Sequence, residues 1–83
     1  MLVMRVIVRF FAGARERLGL SAEDIDLPFS ATVGELILHL SRAHGTDLTA
    51  LPLSYAVNGA YVTENTILKD GDEVGVLYPA SGG

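Results

Sequence analysis

The sequence contains no cysteine, so the chain has no disulfide bond and no thiolate for nucleophilic or metal chemistry. It also lacks a long uncharged apolar run, because Arg5 and Arg9 interrupt the apolar N-terminal segment. That segment is therefore neither a signal-peptide core nor a membrane-spanning helix. No targeting segment is visible either. We therefore expect a cytoplasmic protein that does not contact a membrane.

Positively charged residues are few, with 6 Lys and Arg against 10 Asp and Glu, so the formal net charge is −4 at pH 7. This balance argues against a nucleic-acid partner and is compatible with a protein partner that has a basic docking surface. The length of 83 residues predicts one domain over residues 1–83. An apolar fraction of 49% is enough for one compact core.

Motifs of catalysis and metal binding are missing as well. The chain has no P-loop, G-x-G-x-x-G, H-E-x-x-H or G-x-S-x-G sequence. His39 and His44 lie five positions apart in a predicted helix, about 140° around its axis, so they do not share a metal ion. The acidic stretch 70–73 lacks the further ligands of a calcium loop. We expect no metal site, no bound cofactor and no catalytic activity of the chain alone.

The residues that are present predict an α+β fold. Residues 2–11 form an apolar strand, and Ala12–Leu18 form a short helix that Gly19 ends. Apolar residues alternate with polar ones over 24–29 and predict a half-buried strand that includes Phe29. Thr32 and Glu35 match a capping box that begins a longer helix, about Val33–His44, ended by Gly45.

The C-terminal half predicts a hairpin and a final strand. Asn58-Gly59 suits a type I′ turn between strands within 55–62, and a second turn at 69–72 leads into a strand over about 73–78. The first and last strands are the most apolar and should lie side by side at the centre of a mixed sheet, with the capped helix across one face. These patterns alone reach an α+β fold with a helix on a mixed sheet, and the ubiquitin-like β-grasp topology is what a resemblance to ubiquitin implies.

The sequence ends in Gly82-Gly83, after a short tail that we expect to be flexible from about 79 onward. An α-carboxylate without neighbouring side chains can enter a channel too narrow for any Cβ atom. The tail residues Pro79, Ala80, Ser81 and Gly82 are then expected to contact a partner, with Gly83 as the reactive end. An inert tail on a pure interaction module is the alternative.

Several segments together resemble the MoaD/ThiS family of ubiquitin-like sulfur carriers. They are Phe10-Phe11-Ala12 with Arg15-Glu16, Ala56-Val57-Asn58-Gly59, the stretch 68–74, and the ending 78–83. The Phe-Phe-Ala segment is most similar to the small subunit of molybdopterin synthase, although Tyr78 stands where a second proline is common. Carriers for thiazole, thiolated tRNA or cysteine synthesis share the same ending, so they remain alternatives, as does a ubiquitin-like protein modifier.

The resemblance implies that Gly83 is adenylated by a ubiquitin-activating-type enzyme that uses ATP and Mg²⁺, and then converted to a thiocarboxylate. It implies a sulfur donor enzyme and the molybdopterin synthase large subunit as further partners, with a pterin precursor as the sulfur acceptor. Strand phase places Ile7, Phe11 and Leu77 on the sheet face away from the helix. They are candidates for a partner-binding apolar patch, unless Phe11 packs under a loop.

Overall fold

The structure, a computed structural model, describes residues 2–78. Two helices and a short 3₁₀ helix accompany five strands in this part of the chain. In chain order the elements are β1 (Val3–Phe11), α1 (Ala12–Leu18), β2 (Ala22–Pro28), α2 (Val33–His44), the 3₁₀ helix (Leu48–Ala50), β3 (Ser54–Val57), β4 (Ala60–Val62) and β5 (Glu73–Leu77).

The strands form one mixed sheet in the order β2-β1-β5-β3-β4. β5 is the central strand and pairs in parallel with β1, while the other neighbours are antiparallel. The predicted pairing of the first and last strands is therefore confirmed. With α2 packed across one face, the chain has the ubiquitin-like β-grasp fold.

The core lies between the sheet and α2. Every second residue of β1 faces it, and the helix contributes four residues of one stripe, as its 3.6-residue period requires. Burial is nearly complete, with relative exposures of 0–2% for these residues: Met4, Val6, Val8, Phe10, Val33, Leu36, Ile37 and Leu40. Val74 and Val76 of β5 close the same cluster.

The helix α2 has the bounds that its caps predict. The Glu35 amide donates to the Thr32 hydroxyl at 3.2 Å, and the Thr32 amide donates back to the Glu35 carboxylate at 3.2 Å. These two bonds satisfy N–H groups that have no partner within the helix. At the other end Gly45 adopts φ +66°, and His44 contacts Glu23 of β2, which ties the end of the helix to the sheet.

The hairpin turn is also as predicted. Asn58 has φ +50° and Gly59 has φ +87°, the two positive values that a type I′ turn requires. The turn sets the pairing of β3 with β4, in which Val57 lies opposite Ala60 and Ala56 opposite Tyr61.

The prediction for Phe29 is wrong. β2 ends at Pro28, where the Ala31 amide donates to the Pro28 carbonyl and Ser30 turns the chain with φ +72°. Phe29 therefore lies in a turn with 50% of its surface exposed rather than on the inward face of a strand. The alternation of apolar and polar residues continues past Pro28, but the chain turns away from the sheet there. The pattern alone therefore did not mark the end of the strand.

Candidate functional site

Strand β5 ends at one end of the sheet, and the tail follows it in the sequence. Because β5 runs parallel to β1, Leu77 near its end lies beside Phe11, the last residue of β1. Tyr78 follows and is the last described residue. The predicted site residues Pro79, Ala80, Ser81, Gly82 and Gly83 lie outside the described residues.

Two of the three predicted patch residues meet on the outer face, which is the sheet face opposite α2. Phe11 and Leu77 are register partners on adjacent strands. Phe11 keeps 44% of its surface exposed, and Leu77 is half-buried. The phenyl ring leans across the sheet toward Gly75, where a Cβ atom would lie 3.0 Å from Cε2 and 3.5 Å from Cδ2.

Gly75 is therefore the residue that makes room for the Phe11 ring. A Cβ contact of 3.0 Å is closer than most real Cβ atoms show, so a side chain at position 75 would require the ring to shift by a few tenths of an ångström. Glycine inside a strand often marks a close approach of another group, and here the group is an aromatic ring of the neighbouring strand. The position of Phe11 thus depends on a residue 64 positions away in the sequence.

The apolar surface continues across the sheet beyond Gly75. Ala56 of β3 lies opposite Gly75, and Tyr61 of β4 lies opposite Ala56. Tyr61 is 76% exposed. Five outer-face residues of strands β1, β5, β3 and β4 make up this surface, which we call the outer apolar strip: Phe11, Gly75, Leu77, Ala56 and Tyr61. The small residues Gly75 and Ala56 lie between the two aromatic residues of the strip.

Sequence reasoning missed three residues of the strip, which are Gly75, Ala56 and Tyr61. The Asn-Gly turn signals the pairing of Ala56 with Tyr61, so this neighbour relation was available from the sequence. The pairing of Ala56 with Gly75 was not, since it depends on the non-local contact of β3 with β5.

Ile7 lies on the outer face but apart from the outer apolar strip. It is four residues from Phe11 along β1, which is about 13 Å at the rise of a strand. Between them is Arg9, whose Nε atom lies 3.1 Å from the Glu73 carboxylate. Both side chains of this ion pair are about half exposed, at 48% and 49%. The structure thus brings Phe11 and Leu77 together and separates Ile7 from them.

Charge accumulates toward the opposite end of the outer face. The Arg5 guanidinium donates to the Asp26 carboxylate at 2.8 and 3.2 Å. This hydrogen bond is the main reason that the pKa of Asp26 lies below its usual value. The Arg5 amide also donates to Asp70 at 2.8 Å. The outer face is therefore apolar at the end where the tail begins and charged at the other end.

The described residues carry little else that suggests a site. Within 2–78, no three His, Cys, Asp or Glu side chains are grouped so that they could hold a metal ion. None of the helices in this part of the chain is long and apolar enough to cross a membrane. Within residues 2–78, the outer apolar strip is the feature that the geometry singles out.

The sequence profile of the ThiS family matches residues 8–83. The chain belongs to the ThiS family. The molybdopterin synthase sulfur carrier subunit of Drosophila sechellia is 34% identical over 84 residues, which cover 98% of this chain and 93% of that protein. The resemblance noted from the motifs is therefore confirmed.

Solved structures of similar proteins have the same fold as this ThiS-family chain. Molybdopterin converting factor subunit 1 from Pyrococcus furiosus has a TM-score of 0.79 and 34% identity, covering 93% of this chain and 99% of that one. Subunit 1 of the same factor from Helicobacter pylori, solved in a complex with subunit 2, has a TM-score of 0.67 and 28% identity, covering 96% of this chain and 100% of the matched chain.

Proposed function

We propose that the chain is the sulfur carrier subunit of a molybdopterin synthase and works in the cytoplasm. The observation that carries the proposal is the extent of the family match, which runs through the Gly82-Gly83 end. A relative with this function in its name is 34% identical over 98% of the chain. The match includes Gly82 and Gly83, and a carrier needs the α-carboxylate of such a Gly-Gly end.

Gly83 is the reactive residue in this proposal. The α-carboxyl group at the end of a chain ordinarily has a pKa of about 3.5. It is therefore ionised at neutral pH, and a carboxylate is a poor electrophile. An adenylating enzyme of the ubiquitin-activating type, with ATP and Mg²⁺, joins a carboxylate oxygen to the α-phosphorus and releases pyrophosphate. Sulfide (HS⁻) released by a sulfur donor enzyme then attacks the carbonyl carbon. AMP leaves, and the terminus becomes a thiocarboxylate.

The thiocarboxylate sulfur then forms a bond to a carbon of a pterin precursor held by the large subunit, and an oxygen substituent leaves that carbon with the bonding electron pair. A second thiocarboxylate chain provides the second sulfur of a dithiolene in the same way. Hydrolysis of the resulting acyl–sulfur bond leaves the sulfur on the pterin and returns the carboxylate of Gly83. The chain provides the acyl group and its delivery, whereas the partners provide ATP, Mg²⁺ and the acid–base groups. It is therefore a carrier subunit and not a catalyst by itself.

The outer apolar strip is the proposed docking surface for the large subunit. Exposed apolar surface that is contiguous and bordered by charge marks protein interaction sites, and aromatic side chains are enriched in the buried centres of such interfaces. The strip lies at the tail end of the sheet, so one partner can cover it and receive the tail together. We place Phe11 and Leu77 at the centre of the contact and Ile7 at its edge.

Intact mass spectrometry tests the proposal. The chain is co-expressed with its cognate adenylating enzyme and a sulfur source, and a variant lacking Gly83 serves as the control. The full chain should gain about 16 Da, since one oxygen is replaced by sulfur, and the control should gain nothing. An unchanged mass contradicts the carrier function. Conjugates to lysine side chains of other proteins indicate a modifier instead.

The assignment to molybdopterin needs a second measurement. The thiocarboxylate form is incubated with the large subunit and the pterin precursor, and formation of the dithiolene product is followed. Loss of the added mass with product formation supports the assignment. A thiocarboxylate that the large subunit leaves unused indicates a carrier for another product, such as thiazole, thiolated tRNA or cysteine.

A further inference from the structure

Tyr78, at the root of the tail, packs against the short helix α1. The Arg17 guanidinium lies over its ring, with the Cζ atom 4.4 Å from the ring centroid. One turn earlier in the helix, the Tyr78 Cβ atom lies 3.5 Å from the place where Gly13 would carry a Cβ atom. Residues four apart share one helix face, so the face of α1 that carries Gly13 and Arg17 is the one beside Tyr78.

The helix that provides this contact is itself anchored. Ala14 is completely buried in the core, and the Gly19 amide donates to the Arg15 carbonyl at 2.9 Å to close the last turn. Tyr78 also packs against the edge of the core. The Arg17–Tyr78 contact is therefore made between an anchored helix and the end of the central strand.

The position of Tyr78 matters because five residues follow it. The chain from Pro79 to Gly83 spans at most about 18 Å when extended, so a change of direction at its root moves the reactive end by a large part of that length. A residue that precedes proline is restricted to extended backbone conformations, which further limits the directions open at Tyr78.

We propose that Arg17 is a positioning residue for the C-terminal tail. Its cation–π contact with Tyr78 holds the root of the tail and thereby limits the directions in which Gly83 can be presented to the adenylating enzyme. This role rests on the proposed carrier function. A tail that is already oriented loses less conformational freedom when it enters the partner, so the contact favours productive binding.

The first test uses the free protein and needs no partner. Backbone ¹⁵N relaxation is measured for wild type, Arg17→Gln, Arg17→Lys and the matched control Arg42→Gln, which removes the same charge from the exposed end of α2. Arg17→Gln should lower the order parameters of Tyr78 and Ala80, and Arg17→Lys should largely restore them because a lysine also lies favourably over an aromatic ring. Arg42→Gln should match wild type. Unchanged order parameters in Arg17→Gln overturn the proposal.

The second test measures adenylation by the cognate enzyme with the carrier as the varied substrate. Arg17→Gln should raise KM by about two- to fivefold, the effect of one exposed cation–π contact, with kcat unchanged. Arg17→Lys should return KM toward wild type. An unchanged KM with lowered order parameters overturns the positioning role. If wild type is not adenylated at all, the carrier function fails, and the order parameters alone decide whether Arg17 holds the tail root.

Discussion

Truncation of Phe11 to alanine should weaken binding of the large subunit by about 15- to 100-fold. A phenylalanine offers roughly 150–250 Å² of surface, and 44% of Phe11 is exposed in the free chain. Docking would thus remove about 65–110 Å² from water, which at about 25 cal/mol per Å² corresponds to about 1.6–2.8 kcal/mol of binding free energy. Isothermal titration calorimetry of the variant against the large subunit measures the change.

Leu38→Ala is the matched control for this experiment. Leu38 is also 44% exposed, but it lies on α2, on the other side of the sheet. Its truncation should leave the dissociation constant within about threefold of wild type, or about 0.6 kcal/mol. Chemical denaturation of both variants shows whether each is folded under the binding conditions. A folded Phe11→Ala variant that binds as tightly as Leu38→Ala would refute the assignment of the outer apolar strip as the docking surface.

Three further predictions concern the tail, the core and the response to pH. Gly82→Ala should slow adenylation and sulfur transfer under single-turnover conditions, since its methyl group narrows the fit in a partner's channel; equal rates would make the glycine incidental. Leu36→Ala should lower the free energy of unfolding by about 2–5 kcal/mol because Leu36 is fully buried; an unchanged denaturation midpoint would contradict this. Burial, and to a lesser extent the Glu64 charge, raise the pKa of Tyr55. The unfolded chain therefore releases this proton first, stability should fall as pH rises above about 10, and denaturation of Tyr55→Phe should show a smaller fall.

Local features of the fold were predictable because the groups that decide them are close in the sequence. The Thr32–Glu35 capping box spans three residues, and the Asn58-Gly59 turn needs only two residues with positive φ. The two-residue period of β1 likewise separated its inward from its outward side chains. Phe29 shows where this reasoning stops, because the same period continued past the point at which the chain turns away from the sheet.

By itself the sequence determined the Gly82-Gly83 end on which the proposed carrier function rests, and the local elements of the fold. A Gly-Gly end is a chemical property of the chain, and caps, turns and apolar periods act over a few residues. Most of the outer apolar strip was decided only by tertiary structure. Phe11, Gly75 and Ala56 adjoin because β5 pairs with both β1 and β3. The Arg17–Tyr78 contact likewise joins residues 61 positions apart. Such neighbours come from segments far apart in the sequence, and caps, turns and apolar periods, which act over a few residues, do not specify which distant segments meet.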